Sequence, residues 1–252
     1  IGLGGAGFPT SLKLGFDPKE KQPDFLIING AECEPYITSD YRCFMEEGED
    51  VLEGVLLMLK YLGIPKCIIG IEKNKPKAIE KMTKLCEKHD NITVKPLKSS
   101  YPQGAEKTLI FSTTGRVVKE GTLPLASGCI VINSSTAAFI AQYIRTGMPL
   151  VKRRITVDGN IVKKPSNFIV PVGMSIGEIV YYAELSDKPD RIILGGPMMG
   201  ACAFDPDYPL SKTNNAVLMF ADSPVYEPSE CIRCGKCVKA CSMNLLPTEL
   251  EH

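Results

Sequence analysis

Only two histidines, His89 and His252, occur in the 252 residues. No Ser/His/Asp or Cys/His constellation can be assembled from so few, which removes the common nucleophile-and-base machinery. An excess of charge of either sign is also missing, since 29 Lys and Arg stand against 29 Asp and Glu. That balance argues against a nucleic-acid or anionic-lipid surface. Long hydrophobic runs are lacking too: the most apolar stretch, VLEGVLLMLKYLGIP, is interrupted by Glu53, Lys60 and Pro65, short of the ~20 apolar residues of a spanning helix. No charged-then-apolar leader opens the chain. A soluble chain without direct membrane insertion is expected. The missing initiator Met and the terminal Leu-Glu-His point to a piece of a longer protein.

Cysteine, by contrast, is plentiful at ten residues, four of them within Cys231–Cys241. The others are scattered, and Cys67, Cys86 and Cys129 fall in apolar segments where a small core residue is expected. This layout suits metal ligation in a reducing compartment better than a disulfide framework.

Apolar runs alternate with helical patterns from Phe25 to Arg145, which predicts an α/β domain with a mostly parallel sheet. The strands are FLIIN (25–29), CIIGI (67–71), ITVKPL (92–97) and CIVIN (129–133). Helices are predicted over 49–62, over 77–88 and from SSTAAFIAQYIRTG, the last with Ser134 or Ser135 as N-cap and Gly147 as the stop. After Pro149 the texture changes. RRITVDGNIVKKP reads as a hairpin around Asp158-Gly159, SIGEIVYYAEL as a helix opened by a Ser175–Glu178 capping box, and RIILGG as a strand. Together they suggest a second, β-grasp-like α+β domain. FADSPVYEPSE reads as a linker into the cysteine segment.

Five stretches carry chemistry. CIRCGKCVKAC places Cys231, Cys234, Cys237 and Cys241 in C-x2-C-x2-C-x3-C, the spacing of a ferredoxin-type cluster rather than of paired zinc knuckles. Ser242 follows where ferredoxins have proline, and the spacing leaves open whether Cys241 joins the same cluster as the other three. The opening GLGGAGFPTSLK matches G-x-G-x-x-G at Gly2, Gly4 and Gly7, but no strand is visible before it, so the match is weak in isolation. Bare glycine backbone admits a planar or anionic ligand, and Lys13 supplies a cation nearby. In INGAECEPYITSD, the end of a strand meets Asn29, Glu32, Cys33 and Glu34, the place where open α/β sheets bind ligands. YPQGAEKTLI and VINSSTAAFI likewise set Gly104 and Glu106, then Asn133 and Thr136, beside a strand end or helix start.

Taken in order, GLGGAGFPTSLK, INGAECEPYITSD, YPQGAEKTLI, INSSTAAFI, GGPMMG and CIRCGKCVKACSMNLLP resemble the C subunit of the Rnf electron transport complex. More distantly they resemble the flavin-bearing, NADH-oxidising subunit of respiratory complex I. The resemblance implies a Rossmann-like FMN/NADH domain over 1–148, a β-grasp module of the soluble-ligand-binding type over 149–222, and a short helical 4Fe–4S segment over 223–252. It implies that Gly2, Gly4, Gly5 and Gly7 line flavin and nucleotide, that Lys13 faces the flavin phosphate, and that Phe8 stacks on the nucleotide. Asn29, Glu32, Cys33 and Glu34 would surround the isoalloxazine or nicotinamide edge, with Gly104, Glu106, Asn133 and Thr136 completing the pocket. Ala31 and Ala105 stand where complex I relatives carry acids. FMN, NADH and a 4Fe–4S cluster are the implied cofactors, and NADH and the other subunits of a membrane complex the implied partners. The implied location is peripheral, on the cytoplasmic face of the plasma membrane. Two alternatives share these residues: a soluble flavin/iron–sulfur reductase serving cobalamin or amino-acid reductases, and a non-catalytic assembly module.

Overall fold

The computed structural model describes residues 2–17, 22–221, 226–227, 229–241 and 244–250. Ile1, part of the expected linker, Ser242 and the terminal Glu-His lie outside the described residues. After a short helix α1 (Thr10–Leu14), the chain alternates β1 (Phe25–Gly30), α2 (Ser39–Glu46), α3 (Gly48–Leu62), β2 (Lys66–Glu72), α4 (Pro76–Cys86), β3 (Ile92–Leu97), α5 (Glu106–Thr114), β4 (Cys129–Asn133) and α6 (Ser134–Thr146). The four strands form a parallel sheet in the order β3-β2-β1-β4.

Strand alternation sorts the apolar runs onto two faces. Leu26, Ile28, Cys67, Ile69, Ile71, Ile130 and Ile132 pack with α2, α3, α4 and α6, while Ile27, Cys129 and Val131 pack with Leu109 and Ile110 of α5. A parallel sheet buried on both faces needs such continuous apolar strands, and each fully buried Leu or Ile contributes roughly 1.5–3 kcal/mol. Cys67, Cys86 and Cys129 are buried, and burial pushes the Cys67 thiol well above its ordinary range. The cap of α6 is Asn133 rather than Ser134 or Ser135. Its side chain accepts from the N–H groups of Ser135 and Thr136, and Gly147 closes the helix in the left-handed conformation. Asn serves as well as Ser at this position, and here the strand's last residue doubles as the cap.

A second sheet follows, built from β5 (Lys152–Asp158), β6 (Ser166–Pro171), β7 (Arg191–Leu194), β8 (Ala201–Ala203) and β9 (Ala216–Phe220) in the order β6-β5-β9-β7-β8. It wraps helix α7 (Ile176–Ala183), opened by the Ser175–Glu178 capping box. The expected tight hairpin is wider than its Asp-Gly signal suggested. Strand β5 pairs antiparallel with 166–171, not with 160–163, and Val162 instead bridges Leu185. The Gly159 N–H turns back to the Asp158 carboxylate at 2.7 Å, and Ile161 and Val162 are buried under α7. Core burial of these two residues wins over hairpin closure. Strands β8 and β9 complete the sheet beyond the hairpin, helix and strand expected from sequence.

Between the two sheets runs the segment that follows β1. Ile37 is buried with Ala216 and Leu218, the ring of Tyr36 lies 5.3 Å from that of Phe220, and the Thr38 N–H donates to Thr156 Oγ1 at 3.0 Å. Arg154 of β5 pairs with Glu46 and Glu47. On the far side, α3 and α6 touch at Gly54, where a Cβ would overlap the backbone carbonyl of Ala137. A Gly54→Ala variant should therefore lose about 2–3 kcal/mol despite its better helix propensity, read as a lower urea midpoint at unchanged slope.

Candidate functional site

Asn29, next to last in β1, and Asn133, the last residue of β4, are register partners in the sheet. At this point the strand order reverses, the place where open α/β sheets bind ligands in a crevice. The Asn29 amide donates to the Gly104 carbonyl at 3.0 Å, and its oxygen accepts the Ala31 N–H at 3.0 Å. This draws the 101–106 loop down onto the end of β1. The approach is close: a Cβ on Gly104 would stand 2.6 Å from the Ala31 carbonyl oxygen and 3.0 Å from Cys33 Sγ. Burial raises the pKa of the half-buried Cys33 thiol.

The glycine-rich loop closes the crevice from above. The Gly2 N–H donates to the Phe8 carbonyl at 3.0 Å and the Gly7 N–H to the Gly4 carbonyl at 2.8 Å, with Gly7 left-handed at φ +60°. Leu3 is buried, and its N–H donates to Thr136 Oγ1 at 2.8 Å. Among the described residues, no acceptor takes the N–H groups of Gly4, Gly5 or Ala6. Gly5 and Ala6 are exposed, and a Cβ on Gly5 would meet open space. Phe8 is half exposed at 47%, with Lys13 Nζ 5.6 Å from its ring centre. Lys13 pairs with Glu106 and donates to the Val131 carbonyl at 3.1 Å, so the cation lies at the N-terminus of α5 beside the end of β4.

The acids that follow β1 part company. Glu34 reaches the second sheet, where its carboxylate accepts the Met198 N–H at 3.0 Å and presses on Gly196 of the GGPMMG turn. Glu32 turns inward to the start of α2, accepting from the N–H groups of Asp40 at 2.7 Å and Tyr41 at 3.2 Å. It thus satisfies donors that a helix start leaves unpaired. Asp40 in turn accepts from Asn133 at 2.8 Å and Ser135 Oγ at 3.0 Å. Protein surrounds both carboxyls: burial, reinforced by Asp40, pushes Glu32 up to about 7, and burial also raises Asp40. Asp40 and Arg153, whose guanidinium donates to the Leu3 carbonyl at 2.7 Å, were missed by sequence reasoning. Asp40 follows Ser39 as an ordinary helix-start acid, and Arg153 sits in an ordinary β-rich run. Nothing local in the sequence marks either one.

The structure thus links the glycine loop, Lys13, Glu106, Asn29, Gly104, Cys33, Asn133 and Thr136 through contacts at the ends of β1 and β4, with Phe8 beside Lys13. A separate cavity of about 620 Å³ opens between α6 and β5, lined by Leu3, Asp40, Ser135, Phe139 and Arg153 among others. None of the sequence-predicted site residues lines it.

The cysteine segment is arranged more loosely. Cys231, Cys234 and Cys237 are exposed, Cys241 is half-buried, and a five-residue helix α8 (Lys236–Ala240) carries Cys237. Left-handed Arg233 and Gly235 bend the chain so that the Arg233 N–H faces Cys231 Sγ at 3.4 Å. An N–H aimed at a cysteine sulfur suits a thiolate-bound cluster. Among the described residues, however, no three His, Cys, Asp or Glu side chains are close enough to hold a metal. The donor set fits iron–sulfur ligation, while the folded segment does not gather it.

Residues 1–142 match the Nuo51 FMN-binding domain. The whole chain is 42% identical to the C subunit of the proton-translocating ferredoxin:NAD(+) oxidoreductase complex of Clostridium ljungdahlii, covering 55% of that protein. It is 40% identical to the Na(+)-translocating counterpart of Acetobacterium woodii, covering 57%. Against the C subunit of the ion-translocating oxidoreductase complex of Rhodobacter capsulatus it is 38% identical, covering 49%. The chain belongs to the C-subunit family of the Rnf-type ion-translocating oxidoreductases. It spans about half the length of these relatives. In fold, this Rnf-family chain is similar to a chain of an NAD+-reducing [NiFe]-hydrogenase, with a TM-score of 0.72 over 88% of this chain and 44% of that one, at 22% identity. The Rossmann-like reading of the parallel sheet is borne out.

The raised Glu32 carboxyl gives this end of the sheet a pH signature. The unfolded chain releases the proton near pH 4.5 and the folded chain holds it to about 7. Folding therefore favours the protonated form, and stability falls as pH rises across that window, then levels off. Glu32→Gln keeps an acceptor for the α2 N–H groups and removes the titration. Its advantage over the parent chain in urea unfolding should grow from about pH 4.5 to about pH 7 and stay flat above; a constant difference would contradict the burial assigned to Glu32.

Proposed function

We propose that this chain is the FMN- and NADH-binding part of an Rnf-type C subunit, passing electrons between NAD(H), flavin and iron–sulfur clusters. The observation that carries this reading is a glycine loop, held against the ends of β1 and β4, in which the N–H groups of Gly4, Gly5 and Ala6 find no acceptor among the described residues. A flat, hydrogen-bonding, anionic ligand matches it on each count. Open space at Gly5 leaves room for a ring system, backbone N–H groups supply donors, and Lys13 lies within the same wall.

Bound flavin would supply the link between a two-electron hydride carrier and one-electron clusters. The chain's own residues position and shield it. Gly4, Gly5 and Ala6 offer donors, Asn29 and Gly104 fix the floor, Glu106 and Lys13 set the charge, and Phe8 offers an exposed face at the rim. No side-chain proton donor is needed for hydride transfer, consistent with so little histidine. In the same reading, 1–148 is the flavin domain, 149–222 a β-grasp module and 223–252 a cluster segment whose four cysteines close on iron when it is present. No helix among the described residues is long and apolar enough to cross a membrane. We place this chain peripherally on the cytoplasmic face, held by its partner subunits.

Titrating the chain with FMN should quench flavin fluorescence at saturable stoichiometry, and NADH should then bleach the bound flavin. A chain that neither binds FMN nor lets NADH bleach it would overturn the reading. Gly5→Ala separates cradle from scaffold: its melting should change by less than about 0.5 kcal/mol, while FMN affinity drops, because the added methyl fills only the open space. Reconstitution with iron and sulfide, followed by analysis for both, should find a cluster that Cys234→Ser abolishes.

A further inference from the structure

Among the described residues, the glycine loop closes on itself through only two backbone hydrogen bonds, Gly2 to Phe8 and Gly7 to Gly4. Apart from the single buried side chain of Leu3, it offers almost nothing to pack, and its outer residues Gly5 and Ala6 are exposed. Its shape is imposed at Leu3, from two directions. The Leu3 N–H is taken by Thr136 Oγ1 at the start of α6, and its carbonyl by the Arg153 guanidinium at 2.7 Å from β5 of the second sheet. Arg153 is itself fixed. It is 5% exposed, donates through Nε to the Asn214 carbonyl and lies 3.5 Å from the Thr213 carbonyl, while the Thr213 methyl crowds Gly7. Burial lowers its pKa only to about 10, with Asp40 opposing the fall, so it is cationic at neutral pH.

A planar trans peptide converts this bond into a constraint on the crevice. The Leu3 carbonyl and the Gly4 N–H belong to one rigid unit and point in opposite directions. Whatever holds the carbonyl toward β5 turns the Gly4 N–H away from it. We propose that Arg153 is a positioning residue for the flavin cradle: from the second sheet it clamps the Leu3 carbonyl and so sets the direction of the Gly4 N–H, one of the loop donors offered to the ligand. This rests on the flavin reading above and assigns the β-grasp region a part in binding rather than a purely structural one. The guanidinium is suited to it, because a planar fork can serve the Leu3 and Asn214 carbonyls together, which a single ammonium cannot match in geometry.

The test uses the 252-residue chain as Arg153→Lys and Arg153→Ala, with FMN affinity from fluorescence quenching and ligand-free melting followed separately. Arg153→Lys should keep most of the melting temperature yet bind FMN roughly 10- to 100-fold more weakly, the factor expected for one charged hydrogen bond. Added guanidinium should restore binding to Arg153→Ala and leave the parent chain unaffected, a rescue that general loosening of the seam would not show. Parent-like FMN affinity in a folded Arg153→Lys chain would overturn the proposal. If Arg153→Ala does not fold, the lysine variant carries the test. Should the parent chain itself not bind FMN, the flavin reading fails first. The clamp is then judged alone by hydrogen exchange at the Leu3 amide, which Arg153→Lys should speed about tenfold and which an idle contact would leave unchanged.

Discussion

Everything at the crevice depends on the side-by-side placement of β1 and β4 with their strand ends in register. The order β3-β2-β1-β4 makes that pair the place where successive connections leave in opposite directions, and a parallel sheet opens only there. An asparagine stands at or next to the end of each strand, and each is used for architecture. Asn29 ties the 101–106 loop to the end of β1, while Asn133 caps α6 and reaches Asp40. Short amides suit both tasks because one oxygen and one N–H2 can satisfy a donor and an acceptor at once. The result is a fixed arrangement of backbone at the ends of the two strands.

From that floor a buried polar network runs outward. Glu32 satisfies the start of α2, Asp40 joins α2 to α6, and the charge of Asp40 supports Arg153 across the seam. Groups buried in this way are costly unless each is bonded, which binds the two sheets to a single arrangement. The segment 34–38, lying over β5 and β9 through Ile37 and Thr38, gives the seam an apolar as well as a polar component. Glu34, at the head of that segment, meets the GGPMMG turn, so the second sheet approaches the crevice from two sides.

The first sheet was almost fully legible in the sequence. Strands such as FLIIN and CIVIN are continuous apolar runs, the pattern that burial on both faces requires, and the stripes of α3, α4 and α6 carry helical periodicity. The second sheet was less so. Its Asp-Gly pair looks like a tight hairpin, but Ile161 and Val162 are drawn into the core beneath α7, and β8 is three residues long. Within the site, glycines and strand-end polar groups could be picked out because their types are unusual where they stand. Asp40 and Arg153 could not, since their side-chain partners lie 60 to 150 residues away in sequence and only the fold brings them together. The same limit applies to Glu32, which looked like a ligand-facing acid and is turned inward to cap a helix.

The glycine loop and the ends of β1 and β4 lie within the span that matches the FMN-binding family, while an open cavity of about 620 Å³ lies between α6 and β5. That contrast decides where a structure of the chain with FMN bound should be inspected. The account predicts density for the flavin against Gly4, Gly5 and Ala6, with its ring between the glycine loop and the Asn29–Gly104 floor. Flavin seated instead in the cavity between α6 and β5, without contact to Gly4, Gly5 or Ala6, would contradict it.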